Sequence, residues 1–255
     1  MSVAGYVYTS TLREFTRPRR LWVWLLAVGL VWVVAWAMRQ FQPDATPTEA
    51  YLMISGIFVF KMVALAAAVF ATGVIGQEVE QKTVVYLLTR PVPRPVLLVM
   101  RALAAATVVL LLGLGAAAMA SLGAFGGIGE SFGRDVPALA VGAAVYTGLF
   151  VLISLLVNRA MIFCLLFAFG WETAVPNMPE GMSRLSINAY LTSIANHPSV
   201  AGPKDVLDAL AGALSRGDIP SRESWISMVV FGVALWVLAA LWVQNFEFVP
   251  REDAE

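Results

Sequence analysis

The chain has 255 residues, 59% of them hydrophobic and only 13% charged, with 17 basic against 17 acidic side chains. A soluble domain carries roughly 25% charged residues, so half the usual charge is missing and the composition is that of a membrane protein. Zero net charge excludes a nucleic-acid surface, which needs clustered Lys and Arg without balancing acids, and the single cysteine, Cys164, excludes an intrachain disulfide framework and any cysteine-based zinc site.

Long apolar runs recur from residue 21 to residue 243 and leave no stretch able to form a soluble domain. The first, Leu21 to Met38, follows Arg19-Arg20 and contains Ala35-Trp36-Ala37, which imitates a signal-peptide cleavage site. Its 18 residues exceed a signal h-region and nearly span a ~30 Å hydrocarbon core. It reads as a retained helix, with Trp22, Trp24 and Trp36 near the interfaces. Five more runs follow: Ala50 to Ile75, Val96 to Leu122, Val136 to Val157, Ala160 to Val175 and Trp225 to Val243. Pro95 and Pro137 sit at the starts of two of them, where a missing N–H breaks no helical bond. The fifth run is short, because 16 residues reach only ~24 Å, and it ends at Pro176. The expected fold is thus an all-α polytopic membrane protein with six transmembrane helices.

Orientation follows from Lys and Arg in the short loops. Arg13, Arg17, Arg19 and Arg20 precede the first span, and Lys82, Arg90, Arg94 and Arg101 lie at the connection from the second to the third. The alternate loops hold only Arg39 and Arg134, a count of eight against two. Both termini are therefore expected in the cytoplasm, with 244–255 as a cytoplasmic tail and Asn158-Arg159 as a tight internal hairpin. The longest connection, residues 176–224, is expected outside. Its two helically spaced stretches, Leu185, Ile187, Leu191 and Ile194, then Leu207, Leu210 and Leu214, suit short helices on or in the outer leaflet.

Residues 76–95, GQEVEQKTVVYLLTRPVPRP, carry the most information. Glu78, Glu80 and Lys82 are charged, Val84, Leu87 and Leu88 have i, i+3, i+4 spacing, Thr83 is placed to cap, and Pro91, Pro93 and Pro95 enforce an extended exit. Two readings stand on these residues alone: a short amphipathic helix that docks into a groove on a soluble partner, or a loop resting on the membrane surface.

The run Ile75, Glu78, Glu80, Thr83, Val84, Leu87, Leu88, Pro91, Val92 and Arg94 resembles the segment between the second and third helices of ABC-2-type permeases, the membrane subunits of type V ABC exporters and related transporters. The resemblance extends to a basic amphipathic entry, Thr11 to Arg20, similar to the family's connecting helix and placing 1–20 in the cytoplasm. It covers the six-span layout with both ends inside as well. The short single-domain plan is similar to that of the membrane subunit of the nitrous oxide reductase maturation transporter. It implies that Gln77 to Leu88 is a coupling helix seated on an ATPase subunit, with Gln77, Glu78, Glu80, Lys82, Thr83, Val84, Leu87, Leu88, Arg90, Pro91 and Arg94 as the coupling residues. Lys82 stands where a glycine is frequent in the family, and Met100-Arg101 where a Gly-Lys pair is usual.

Lys61 falls inside the second run, and an intramembrane charge marks a functional site by default. It pairs with Glu172 at the end of the fifth run to make an intramembrane polar site, or it snorkels from a span beginning near Gly56. His197 beside Pro198 reads as an exposed loop residue, because one histidine without cysteines or acids makes no metal site. Small residues along Ala102 to Ala120 suit close helix packing. No G-x-x-x-x-G-K-[ST] occurs, so the chain has no P-loop. Intramembrane hydrolysis fails on inventory: the runs contain no aspartate, and Ser55, Ser121 and Ser154 have no histidine within a span to act as base.

The expected function is a non-catalytic permease subunit in a prokaryotic cell (inner) membrane. It needs no cofactor or metal of its own, ATP and Mg residing in two copies of a separate ABC ATPase. Cyclic symmetry makes a homodimer of permease chains the default. The alternative is mechanical transmission of ATP-driven motion to an extracytoplasmic partner, with nothing carried through; a membrane enzyme or a scaffold ranks below both.

Overall fold

The computed structural model describes residues 3–41, 46–80, 93–175, 183–197 and 220–245, and every regular element among them is helical. Helix α1 (Val3–Phe15) and α2 (Pro18–Phe41) are separated by a break at Thr16-Arg17. The basic entry Thr11 to Arg20 therefore straddles two helices instead of forming one. Pro18, with no N–H to donate, opens α2 where that donor would be unpaired anyway.

Helix α3 (Pro47–Ile54) starts with a capping box: Thr46 Oγ1 accepts from Glu49 N–H at 3.3 Å, and Thr46 N–H donates to Glu49 Oε2 at 3.1 Å. A π turn over Ser55–Val59 leads into α4 (Phe60–Glu80). Helix α5 (Arg94–Phe125) ends at Gly126, whose φ of 74° is the left-handed cap that glycine adopts without strain. Helix α6 (Glu130–Leu156) begins well before the apolar run, so Pro137 lies inside it and not at its start. Ser121 Oγ ties the turn between α5 and α6, accepting from Gly129 N–H at 2.9 Å and donating to Gly127 O at 3.0 Å. Helix α7 (Ala160–Leu166) passes through a second π turn, Phe167–Trp171, into a last turn, Glu172–Ala174. Helices α8 (Ile187–Ile194) and α9 (Ser221–Asn245) follow.

Among the described residues, five helices are long and apolar enough to cross a membrane: Leu21–Phe41, Pro47–Val74, Pro95–Phe125, Glu130–Leu156 and Ser221–Asn245. The sixth expected span is the shorter apolar stretch Ala160–Ala174; at ~1.5 Å per residue it falls short of a ~30 Å core.

Helix α5 is the hub and packs against α1, α2, α3, α4, α6 and α9. Its composition explains this: Ala102, Ala104, Ala105, Ala116, Ala117, Ala120 and Ala124 are all buried, and side chains this small let backbones approach closely. A Cβ on Gly113 would lie 2.7 Å from Val63 Cγ2, and one on Gly123 would lie 2.4 Å from Ala35 Cβ. Helices α2 and α9 are peripheral, with Leu25, Leu26, Leu30, Val230, Val233 and Leu241 exposed. Apolar faces of this extent belong in lipid or against another chain. Helix α1 lies along α5, with Tyr8 Oη 2.9 Å from Thr107 Oγ1 and Phe15 edge-on to Phe70 at 5.5 Å.

The first stretch of the long connection differs from expectation. Helix α8 does not rest its apolar face on lipid. Ile187, Leu191 and Ile194 are buried in the protein, where α8 packs against α6 and α9. The reason is local shape: Gly142 of α6 leaves room for Leu191, whose Cδ1 would lie 2.8 Å from a Cβ there. Leu185, just before the helix, is exposed. The second stretch, Leu207, Leu210 and Leu214, lies outside the described residues, as does the tail from residue 246.

Candidate functional site

Two carboxylates, Asp135 of α6 and Glu172 after α7, are fully buried at the end of the bundle where α3 begins. That end is opposite α1, because Tyr51 and Phe70 lie on one span about 19 residues, or ~28 Å, apart.

Asp135 is the centre of the first cluster. Tyr51 Oη donates to its Oδ2 at 2.8 Å, and Ser55 Oγ donates to the same oxygen. The other oxygen, Oδ1, meets His197 Nε2 at 2.6 Å. Tyr51 and Ser55 converge because residues four apart share a helix face, and Ser55 opens the π turn. The extension of α6 back to Glu130 brings Asp135 into the helix and inside the bundle.

His197 is not an exposed loop residue. Its side chain is 3% exposed and its ring packs on Phe60 at 5.6 Å. A Schellman cap puts it there: Asn196 adopts φ 52°, Asn196 N–H donates to Ser193 O at 3.1 Å and His197 N–H to Thr192 O at 3.0 Å. Asparagine is one of the few residues that tolerate this left-handed turn.

Glu172 closes the other end of α8. Its carboxylate accepts from Ser186 Oγ at 2.6 Å and from the Ile187 and Asn188 N–H groups at 3.0 Å each. Ser186 Oγ in turn accepts from Ala189 N–H at 3.2 Å. The first three donors of α8 are thus satisfied and an anion sits at the positive end of its dipole. Buried Tyr146 also lies against this carboxylate.

Lys61 and Glu172 are brought together, but not as a carboxylate–ammonium pair. Lys61 Nζ donates to the Glu172 backbone carbonyl at 2.6 Å and to Thr173 Oγ1 at 2.8 Å. The snorkelling reading assumed a span beginning near Gly56. The helix begins at Pro47, so Lys61 is half-buried well inside it and finds its partners within the protein.

Gln77, Glu78 and Glu80 fall on the last turn of α4, beyond the apolar run that ends at Ile75. Lys82, Thr83, Val84, Leu87, Leu88, Arg90 and Pro91 lie outside the described residues, and Arg94 opens α5. Arg101 Nη1 reaches Val74 O at 3.4 Å, linking the start of α5 to the end of that span.

The Asp135 cluster holds a serine, a histidine and an acid, but in the wrong order for nucleophilic catalysis. Ser55 gives its proton to Asp135 and no bond joins it to the imidazole; a serine nucleophile needs its base directly at Oγ. Among the described residues no group of three or more His, Cys, Asp or Glu could hold a metal ion. Reading only the apolar runs missed Asp135, because it stands one residue before a run, and missed Tyr51 because it is itself apolar in such counts. The legible signals were the four-residue Tyr51–Ser55 spacing and the Asn196-His197-Pro198 helix stop.

Described elements that are all helical, several of them long and apolar enough to cross a membrane, with buried polar anchors between them, define the class: a multi-pass membrane protein. The model of the family described as "ABC-2 family transporter protein" matches residues 13–176, well over half of the chain, and the chain belongs to that family. It is accordingly the membrane permease of an ABC transporter, and the family implies an ABC ATPase as partner. No curated protein matches the chain. Helices α8 and α9 lie beyond the matched region.

Proposed function

We propose that the chain is the permease half of a type V-like ABC exporter, working as a homodimer with two ATPase copies and coupling their ATP hydrolysis to export through Gln77 to Leu88. The observation that carries this reading is the family match together with the course of α4. The helix continues five residues past Ile75, the last residue of the apolar run, ~8 Å further. Gln77, Glu78 and Glu80 are thereby joined, through α4 and the π turn Ser55–Val59, to the α3 end of the same span, which carries Tyr51 and Ser55. A push on the coupling segment would reach the far end of the bundle without an intervening loop. Both termini then lie in the cytoplasm of a prokaryotic cell, and residues 176–224 lie outside.

A substrate path belongs between two protomers. One apolar cavity inside the chain, bounded by Leu98, Ala102, Gly148, Val151 and Trp236, has about 10 Å³, room for roughly one water. A continuous cavity at the dimer interface supports export, whereas a closed, dry interface with a bound outer partner supports mechanical transmission.

The test is charge reversal of the coupling acids, Glu78→Lys with Glu80→Lys, in the assembled transporter. Truncating one member of a desolvated charge pair at an interface typically costs ~2–5 kcal/mol, so ATPase association should weaken or hydrolysis should uncouple from transport, while bilayer insertion survives because the loop becomes more positive. Equal reversal at Glu252 and Asp253 is the control, where exposed charges matter little. A loop variant that assembles and works like the parent would show that the segment is only a membrane-surface loop.

A further inference from the structure

Lys61 stands deep in the apolar run from Ala50 to Ile75, more than ~15 Å, half a hydrocarbon core, from either end of it. A four-carbon stem is too short to carry the ammonium to either surface. Its bonds to Glu172 O at 2.6 Å and Thr173 Oγ1 at 2.8 Å are as short as charge-assisted bonds, but both acceptors are neutral. An ammonium has three donors, and these partners use two. The Glu172 carboxylate attracts the ammonium only through space, because it is committed to Ser186 Oγ and two N–H groups of α8.

The surface around this charge is apolar and open. Ile57 and Phe58, four and three residues before Lys61, are exposed, and so are Leu166 and Phe169 on the turns leading to Thr173. Residues three and four apart share a helix face, and α4 packs against α7, so the two apolar strips adjoin and the ammonium lies at their junction. A charge at this depth is expensive and marks a site. Both helices are interrupted here by π turns, Ser55–Val59 just before Lys61 and Phe167–Trp171 directly before Glu172, and such turns are frequent at functional sites.

We propose that Lys61 and Thr173 form the head-group subsite for an anionic amphiphile in transit, whose apolar body lies along Ile57, Phe58, Leu166 and Phe169. A small hydrophilic anion would leave the apolar strips uncovered, and a neutral amphiphile would leave the ammonium without a counter-charge. One negative head on an apolar body matches both. A bilayer phospholipid does not fit, since its head group lies at the membrane surface and the ammonium does not. The assignment rests on the export reading above and names the substrate class for it.

The test is photocross-linking to the full chain reconstituted in phosphatidylcholine nanodiscs. The probe is a long-chain alkyl sulfonate with a diazirine in its chain, ionised at any working pH. The matching alcohol is the neutral reference, and phosphatidylglycerol with the same diazirine is the lipid reference. Peptide mass spectrometry reads adducts on residues 53–65 and 160–175. In the parent, the sulfonate should label these segments at least tenfold more than the alcohol. Lys61→Gln keeps an N–H donor but no charge and should bring the two probes to within twofold of each other, whereas Lys61→Arg should keep a preference above fivefold. A general loosening of the bundle raises both probes together and leaves their ratio unchanged. Equal labelling by sulfonate and alcohol in the parent overturns the assignment, as does a preference that survives Lys61→Gln or is lost in Lys61→Arg. Equal, Lys61-dependent labelling by phosphatidylglycerol also overturns it and makes this a bilayer-lipid site. Dissociation of the dimer by Lys61→Gln overturns it as well, because a second copy of the chain then faces the ammonium. No nucleotide or ATPase is present, so failure here refutes the subsite and leaves the export reading to the coupling-segment result.

Discussion

Gly123→Ala tests the close approach of α2 and α5. An alanine Cβ there would lie 2.4 Å from Ala35 Cβ, 2.9 Å from Trp32 O and 3.0 Å from Trp36 N. Carbon pairs are at ease near ~3.5–4.0 Å, so the helices must separate by about 1 Å. Two of the three obstacles are backbone atoms, which cannot rotate aside, and this places the overpacking penalty in the upper part of the ~1–3 kcal/mol range. Replacing a helical glycine by alanine returns ~0.5–1 kcal/mol of backbone entropy, leaving a net loss of ~1–2 kcal/mol. Gly29→Ala on α2 is the matched control: nothing lies within 4 Å of its Cβ position, and it should stabilise by ~0.5–1 kcal/mol. Equilibrium unfolding in mixed micelles should therefore give opposite signs for the two variants. Ala35→Gly in the Gly123→Ala background should recover only part of the loss, because the Trp32 and Trp36 backbone contacts remain. Stabilisation by Gly123→Ala would refute the close packing of these helices.

Removing the capping box with Thr46→Ala should destabilise the chain by ~1 kcal/mol in the same assay, and an unchanged midpoint would show that the start of α3 contributes nothing. In intact cells, a tag after Glu255 and a cysteine probe at residue 90 should be cytoplasmic and a probe at residue 204 external; labelling of residue 204 only from the cytoplasmic side would sink the six-span topology. The purified chain should hydrolyse no ATP, since no P-loop is present in its sequence. Turnover by a preparation free of any ATPase would contradict the permease assignment.

The class of this protein was legible from composition and run length alone, because a bilayer imposes one requirement on every residue of a span and a scan of hydropathy reads it directly. Small residues on α5 announced close packing for a similarly local reason: alanine and glycine lack the bulk to keep helices apart. The helix boundaries were less legible. Glu130 and Asp135 are polar and ended the apolar run at Val136, yet the structure continues α6 through both, since a buried carboxylate with three partners is tolerated where an unpaired one is not.

What only the tertiary structure decided was the pairing of polar residues distant in sequence. His197 in isolation looks like a loop residue; the Schellman turn at Asn196 and the position of Asp135, 62 residues away, bury it. Lys61 was open to two readings, a polar site with Glu172 or a snorkelling side chain; the Glu172 carboxylate turns to the N-terminus of α8, leaving its backbone carbonyl to the ammonium. Hydropathy and periodicity are properties of neighbours along the chain, whereas a hydrogen bond has direction and reach of about 3 Å. Which donor satisfies which buried acceptor is therefore fixed only when the helices are packed.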